Sequence, residues 1–291
     1  MQIEPSGGPP IGSSRSRIFS GAGLKQEGAR GVAIAVVSTT LVLVVIGVLV
    51  TRSAYWPEFK QAFFDRQIFL NSLPEIVAKF RRNVMYFCIA EVFVLALALL
   101  LAVMRSLRGP VFFPIRAMSI VYTDVFRGIP TVLVIYLLGF GVPSLAIPGI
   151  PSSATFWAVL GLILSYSAYV SEVYRAGMES VHGSQVAAAR SLGLNRRQSL
   201  RYVVIPQAIR RVIPPLMNDF VALQKDTALV AFVVAIPEAF KQGQIDKAAT
   251  FNFTPIVAVA LVFLVITIPL TRLTDYLVER ERRRRQAGSV V

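Results

Sequence analysis

Six polar or charged residues crowd one apolar run of this sequence: Asn218, Asp219, Gln224, Lys225, Asp226 and Thr227 all fall between residues 212 and 236. A charged side chain near mid-bilayer costs about 2.5–3.5 kcal/mol on insertion scales, so such groups face protein or water rather than lipid. Asn218 and Lys225 are seven residues apart, as are Asp219 and Asp226, which puts the four in two adjacent stripes on one side of a helix. Neighbouring residues on a helix point about 100° apart, so Lys225 and Asp226 do not easily satisfy one another. The chemistry this suits is recognition: a lysine for a carboxylate, an aspartate for an ammonium group, in the wall of a translocation cavity. A second reading fits the same residues, in which both charges are satisfied by neighbouring helices or by a second chain. Glu91, in an earlier apolar run, is the candidate partner for Lys225 or for a cationic substrate.

Other chemistries find little support. The chain has one Cys (Cys88) and one His (His182), too few for a disulfide or a Cys/His metal cluster, so no metal site is expected. No nucleophile accompanied by a base is evident. The phosphate-cradling pattern GxxxxGK[ST] does not occur, so ATP is not expected to bind this chain by that route.

The elements that must hold the polar wall are membrane helices. Over 291 residues the mean hydropathy is +0.62 with a net charge of +14, a combination that points to a multi-pass membrane protein. Runs long enough to cross about 30 Å of hydrocarbon lie near 31–50, 84–104, 129–147, 155–175, 212–236 and 254–276, giving six expected spans. Gly139, Gly141 and Pro143 interrupt the third. With both termini inside, the inner segments hold nineteen Lys and Arg against eight outside, and positively charged loops stay in the cytoplasm. Residues 1–30, rich in Gly, Ser and Pro, read as a disordered cytoplasmic tail. The Arg282 to Arg285 run, in a basic tail over 277–291, suits anionic lipid head groups. Nucleic acid is the weaker reading of this charge, because topology demands the same charge.

One cytoplasmic loop, 176–211, is more than a connection. In its stretch SQVAAARSLGLNRRQSLRYVVIP (184–206), Ser184 is expected to cap a short helix that Gly193 stops. Asn195, with Gln198 three residues on, opens a second helix as a capping box. Pro206 is expected to break that helix before the next span. Two short helices at a rigid elbow can transmit a push from a soluble partner, which a slack loop cannot.

Ala188-Ala189-x-x-x-Gly193, followed by Val203-x-Ile205-Pro206, resembles the EAA motif of ATP-binding-cassette (ABC) importer permeases, E-A-A-x(3)-G-x(9)-I-x-L-P. Ala187 stands where that motif has its Glu. The flanks resemble the polar amino-acid subfamily: Phe126 to Pro130 (FRGIP), Tyr169 to Gly177 (YVSEVYRAG), Pro206 to Pro214 (PQAIRRVIP) and Gln224 to Val230 (QKDTALV). The resemblance implies an all-α membrane protein with the type I importer fold. It implies a core over 83–276, with 31–82 as an added helix and external loop. It implies partners: cytoplasmic ATPases that bind ATP and Mg, an extracytoplasmic binding protein, a second permease chain (identical or related) and an amino-acid substrate. Ser184, Ala187, Ala188, Ala189, Arg190, Gly193, Leu194, Asn195 and Pro206 would then form the surface that couples to the ATPase. The rival is a stand-alone secondary transporter or channel, which explains the charged span but not the elbow.

Overall fold

A computed structural model of the chain describes residues 28–107, 109–181, 183–233 and 237–287. Most of the expected N-terminal tail lies outside them, as does His182. The described residues form helices and connecting turns with no strand, the all-α architecture that the resemblance implies. The chain packs as two units divided after Gln61. The first carries α1 (Gly28–Thr51), whose residues 32–50 are all exposed and almost all apolar. A helix apolar all round, with a stretch of 21 residues long enough to cross a bilayer, is suited to lipid. A short α2 (Trp56–Phe63) follows.

In the second unit, α3 (Arg66–Ser106) starts where the Asp65 carboxylate accepts the Ile68 N–H at 2.9 Å. It presents Asn83, Tyr86, Ala90, Val94, Ala98 and Ala102 at steps of three or four residues as one buried stripe. Against that stripe lies α6 (Ala154–Glu179), capped by Ser153, whose residues Ala158, Leu162, Tyr166 and Val170 repeat every four. Lipid tails are as apolar as these side chains, so close packing rather than hydrophobic transfer holds the two helices together. The small residues on both stripes permit it. Between them in sequence come α4 (Phe113–Gly128) and α5 (Thr131–Tyr136), the latter prolonged by a π-turn over Leu137–Gly141 and a last turn at Val142–Ser144.

Beyond α6 come α7 (Gly183–Ser191), α8 (Arg196–Ser199) and a π-turn at Leu200–Val204. The chain then runs into α9 (Ile205–Asp226), a 3-10 segment at Thr227–Phe232, α10 (Ala239–Thr250) and α11 (Thr254–Ala287). A smaller core of Ile76, Phe80, Ala239, Ala258, Val259 and Val262 ties α10 and α11 to the start of α3.

The count of spans differs from six. Four stretches, within Gly31–Thr51, Trp56–Ser106, Ala154–Glu179 and Thr254–Arg280, are long and apolar enough to cross a bilayer. A bent pair, Pro110–Gly128 with Thr131–Ser144, makes a fifth if it is one span. Its bend of 100° lies at Gly128–Pro130, where Ile129 is extended and Pro130 cannot continue the helix. The expected third span, 129–147, is thus the second half of a broken element that begins at Pro110. The expected fifth run is not one apolar helix: α9 is amphipathic, with Arg210, Arg211, Asp219, Lys225 and Asp226 on it, and it tightens to 3-10 after Asp226.

Candidate functional site

The polar residues of α9 divide by face as their spacing requires. Asn218 and Lys225 are exposed, whereas Asp219 and Asp226 are half-buried. Asp226 accepts a hydrogen bond from the Tyr166 hydroxyl of α6 at 2.7 Å. Gln224 and Thr227 turn the other way, into the packing. The Gln224 amide oxygen accepts from Thr267 of α11 at 3.0 Å, and Thr227 donates to the Gln224 carbonyl at 2.8 Å. These two are therefore held by protein, and Asn218, Asp219, Lys225 and Asp226 lie on the other side. The helix changes from α to 3-10 directly after Asp226, and interrupted helices are where midplane sites are built.

Glu91 does not serve as the partner of Lys225. No ion pair joins them among the described residues, and the charge bearing on Glu91 is that of Asp219, two turns nearer the elbow. The reason is register: α3 meets α9 directly, Asn83 at Thr227 and Phe87 at Phe220, so Glu91, about two turns beyond Asn83, lies past Lys225 at the level of Asp219.

Below Asp219, toward the elbow, charges are dense. Glu172 pairs with Arg105 of α3 and, at 2.7 Å, with Arg175 one turn on, while Arg175 also holds Glu179. Arg127, at the end of α4, lies over the Tyr169 ring with its guanidinium carbon 5.9 Å from the centroid. A cavity of about 450 Å³ opens among Arg127, Tyr169, Glu172, Arg211 and Asp219. A larger one of about 660 Å³, between α3 and α6, has an apolar lining that includes Ile89, Phe93, Leu97 and Leu160, unsuited to a zwitterion.

The elbow is built as its residues dictate. Gly193 has φ +85°, the left-handed conformation that glycine adopts without steric cost. The Gly193 N–H donates to Arg190 O at 3.0 Å and the Leu194 N–H to Ala189 O at 3.2 Å, the paired bonds of a Schellman stop. The capping box is reciprocal: Gln198 N–H donates to the Asn195 side chain, and Asn195 N–H to the Gln198 side chain, both at 2.9 Å. Ala189 is buried under the turn, leaving Ser184, Ala187, Ala188 and Arg190 exposed. Two details depart from the spacing. Because α7 already begins at Gly183, Ser184 lies inside the first turn rather than at the cap. Pro206 does not break the second helix. It sits in the first turn of α9, where a missing N–H costs nothing, and the π-turn at Leu200–Val204 carries the chain into it. The same elbow exposes large apolar side chains, Leu192 at 84%, Tyr202 at 65% and Leu200 at 50%, as a docking face does.

Residues 95–283 match the family described as the binding-protein-dependent transport system inner membrane component. The chain belongs to this family. The permease is 32% identical over 212 residues to the probable amino-acid permease protein YxeN of Bacillus subtilis, covering 72% of this chain and 93% of that one. It is 34% identical to the probable amino-acid ABC transporter permease protein PatM of Vibrio harveyi, over 72% and 92% of the two chains. With the probable glutamine ABC transporter permease protein GlnM of Bacillus subtilis the identity is 33%, over 66% and 85%. In structure the permease resembles a chain from the crystal structure of an amino acid ABC transporter with histidines, with a TM-score of 0.67 at 28% identity over 74% of this chain and 98% of that one. A chain of the MetNI methionine transporter, at 16% identity and a TM-score of 0.53, shares the fold.

Sequence reasoning missed one node of the permease. Glu238, fully buried, caps α10 by accepting the Phe240 and Lys241 N–H groups at 3.0 and 2.7 Å. Asn83 of α3 donates to its carboxylate at 2.7 Å and to Thr227 at 3.2 Å, while its own oxygen accepts the Ala239 N–H. Arg82 donates to the Pro237 carbonyl. The node ties α3, the 3-10 segment after Asp226 and α10 together, and so fixes where the α9 helix ends. Its one signal was a Glu straight after Pro237, a weak one because Glu is not among the preferred caps.

Proposed function

We propose that this permease is the membrane subunit of an ATP-driven importer of polar amino acids in a bacterial plasma membrane, with both termini cytoplasmic. Two permease chains, identical or related, enclose a path lined by Asn218, Asp219, Lys225 and Asp226. Two ATPase subunits, which bind ATP and Mg, receive the 184–206 elbows, and an extracytoplasmic binding protein delivers the substrate. The names its relatives carry support the substrate class. The observation that carries the reading is the pairing at the end of α9: Lys225 exposed, and beside it Asp226 held in place by the Tyr166 hydroxyl. A free amino acid carries one group for each. Closure of the ATPases moves the elbows together and turns the path outward; release after hydrolysis turns it back.

The test is uptake by the reconstituted transporter with its ATPase and binding protein. Lys225→Met and Asp226→Asn each remove a hydrogen bond to a charged group, worth about 1.5–3 kcal/mol. Transport should fall roughly 10- to 100-fold in each, with the complex still assembled. Normal transport in both variants would make these residues packing elements. Purification of the permease without any ATPase, with uptake driven by an ion gradient, would favour the stand-alone transporter.

A further inference from the structure

The 450 Å³ cavity on the elbow side of Asp219 is lined by a carboxylate and a guanidinium, Asp219 and Arg127, that form no ion pair among the described residues. Of its other ionic groups, Glu172 is occupied by Arg105 and Arg175, and Arg211 donates to the Ser180 carbonyl. Asp219 Oδ2 is buried and has no hydrogen-bond partner among the described residues. Arg127 has no carboxylate within pairing distance among the described residues; its exposed guanidinium lies over the Tyr169 ring. A buried carboxylate oxygen without a donor is unfavourable in any folded protein, and Arg127, exposed on the same cavity, offers a cation. A ligand bearing one group of each sign can meet both.

The surroundings repeat the outer pair. Asp219 lies seven residues before Asp226 on α9, about 10 Å along the helix. On α6, Tyr169 lies one turn beyond Tyr166, with ring centroids 6.3 Å apart. An aromatic hydroxyl, a carboxylate and a cation therefore occur twice along one wall: Tyr166, Asp226 and Lys225, then Tyr169, Asp219 and Arg127. The cavity volume is within the range of small-ligand sites.

We propose that this cavity is a second amino-acid station on the elbow side of the path, with Arg127 holding the carboxylate and Asp219 the ammonium group of a substrate leaving the Lys225–Asp226 pair. The proposal rests on the reading of the protein as an amino-acid importer. It assigns Arg127, at the bend between α4 and α5, a ligand role that its place at a helix end does not suggest.

Ala176 lines the cavity and is exposed, which makes it the reporter position. The experiment uses the assembled transporter, permease and ATPase together, in nanodiscs with Cys88→Ser and Ala176→Cys. The rate of modification by a methanethiosulfonate reagent is measured with and without an equimolar mixture of the standard L-amino acids other than cysteine. Labelling should slow about tenfold when the bound fraction is about nine-tenths. Protection should vanish in Arg127→Gln and in Asp219→Asn, return in Arg127→Lys, and persist in Lys225→Met. Absence of protection in the parent overturns the proposal, as does protection that survives both Arg127→Gln and Asp219→Asn. Loss of protection in Lys225→Met also overturns it, because the reporter would then be reading the outer pair. Co-purification of the ATPase with each variant shows that it has folded. The uptake test of Lys225 and Asp226 is separate, so either site can fail alone.

Discussion

Replacing Gly193 by valine is the sharpest perturbation of the elbow, because the structure isolates what it costs. A Cβ built at Gly193 meets nothing within 4 Å, so the penalty lies in the backbone alone. Holding a non-glycine residue at φ +85° costs about 1–2 kcal/mol, with a β-branched side chain at the upper end. If the turn opens instead, the two Schellman bonds from Gly193 and Leu194 are lost, at about 0.5–1.5 kcal/mol each. Either route shifts the elbow by about 1–3 kcal/mol, while the packed core is untouched. The expected order of function is Gly, then Asn, then Ala, then Val, since asparagine tolerates the left-handed region. The assay is uptake together with binding-protein-stimulated ATPase activity in proteoliposomes, with complex assembly checked separately. Both activities should fall together, by about 5- to 30-fold in Gly193→Val for a 1–2 kcal/mol shift. Full retention of both by Gly193→Val, or an asparagine variant worse than the valine one, would refute the reasoning.

A Cβ at Gly177 would clash with Val212 Cγ2, so Gly177→Ala should cost about 1–3 kcal/mol of stability and Val212→Ala in the same chain should restore it; thermal unfolding in detergent reads both. Glu238→Ala leaves one Asn83 N–H and the Phe240 and Lys241 N–H groups without an acceptor, which should lower stability by about 1–3 kcal/mol. Glu238→Gln should lose less, and equal losses would place the node's value in packing rather than hydrogen bonding. Reporter fusions at residue 20 and after residue 285 should both report the cytoplasm, and one at residue 65 the outside; an external signal at either end would mean a miscounted span.

The sequence alone determined the local features of the elbow that its side chains close within a few residues, though not the Ser184 cap or the Pro206 break. The Schellman stop at Gly193 and the Asn195–Gln198 box are satisfied within a few residues, so spacing sufficed to place them. The two stripes on α9 followed from the helical repeat, and they appear as an exposed Asn218–Lys225 row beside a half-buried Asp219–Asp226 row. What spacing could not decide is what each side chain meets. Glu91 faces the region of Asp219 rather than Lys225 because Asn83 meets Thr227 and Phe87 meets Phe220, a register of α3 against α9 set by three-dimensional packing. Gln224 and Thr227, polar like their neighbours, turn into the core because Thr267 and Asn83 wait there from residues 43 and 144 positions away. The break after Asp226 was equally hidden, since no Pro or Gly marks it. It is enforced from outside by the Asn83–Glu238 node, whose members lie 155 residues apart in the chain. Hydrogen bonds of that separation depend on how the helices are stacked, and stacking is the part of this protein that only the tertiary structure decides.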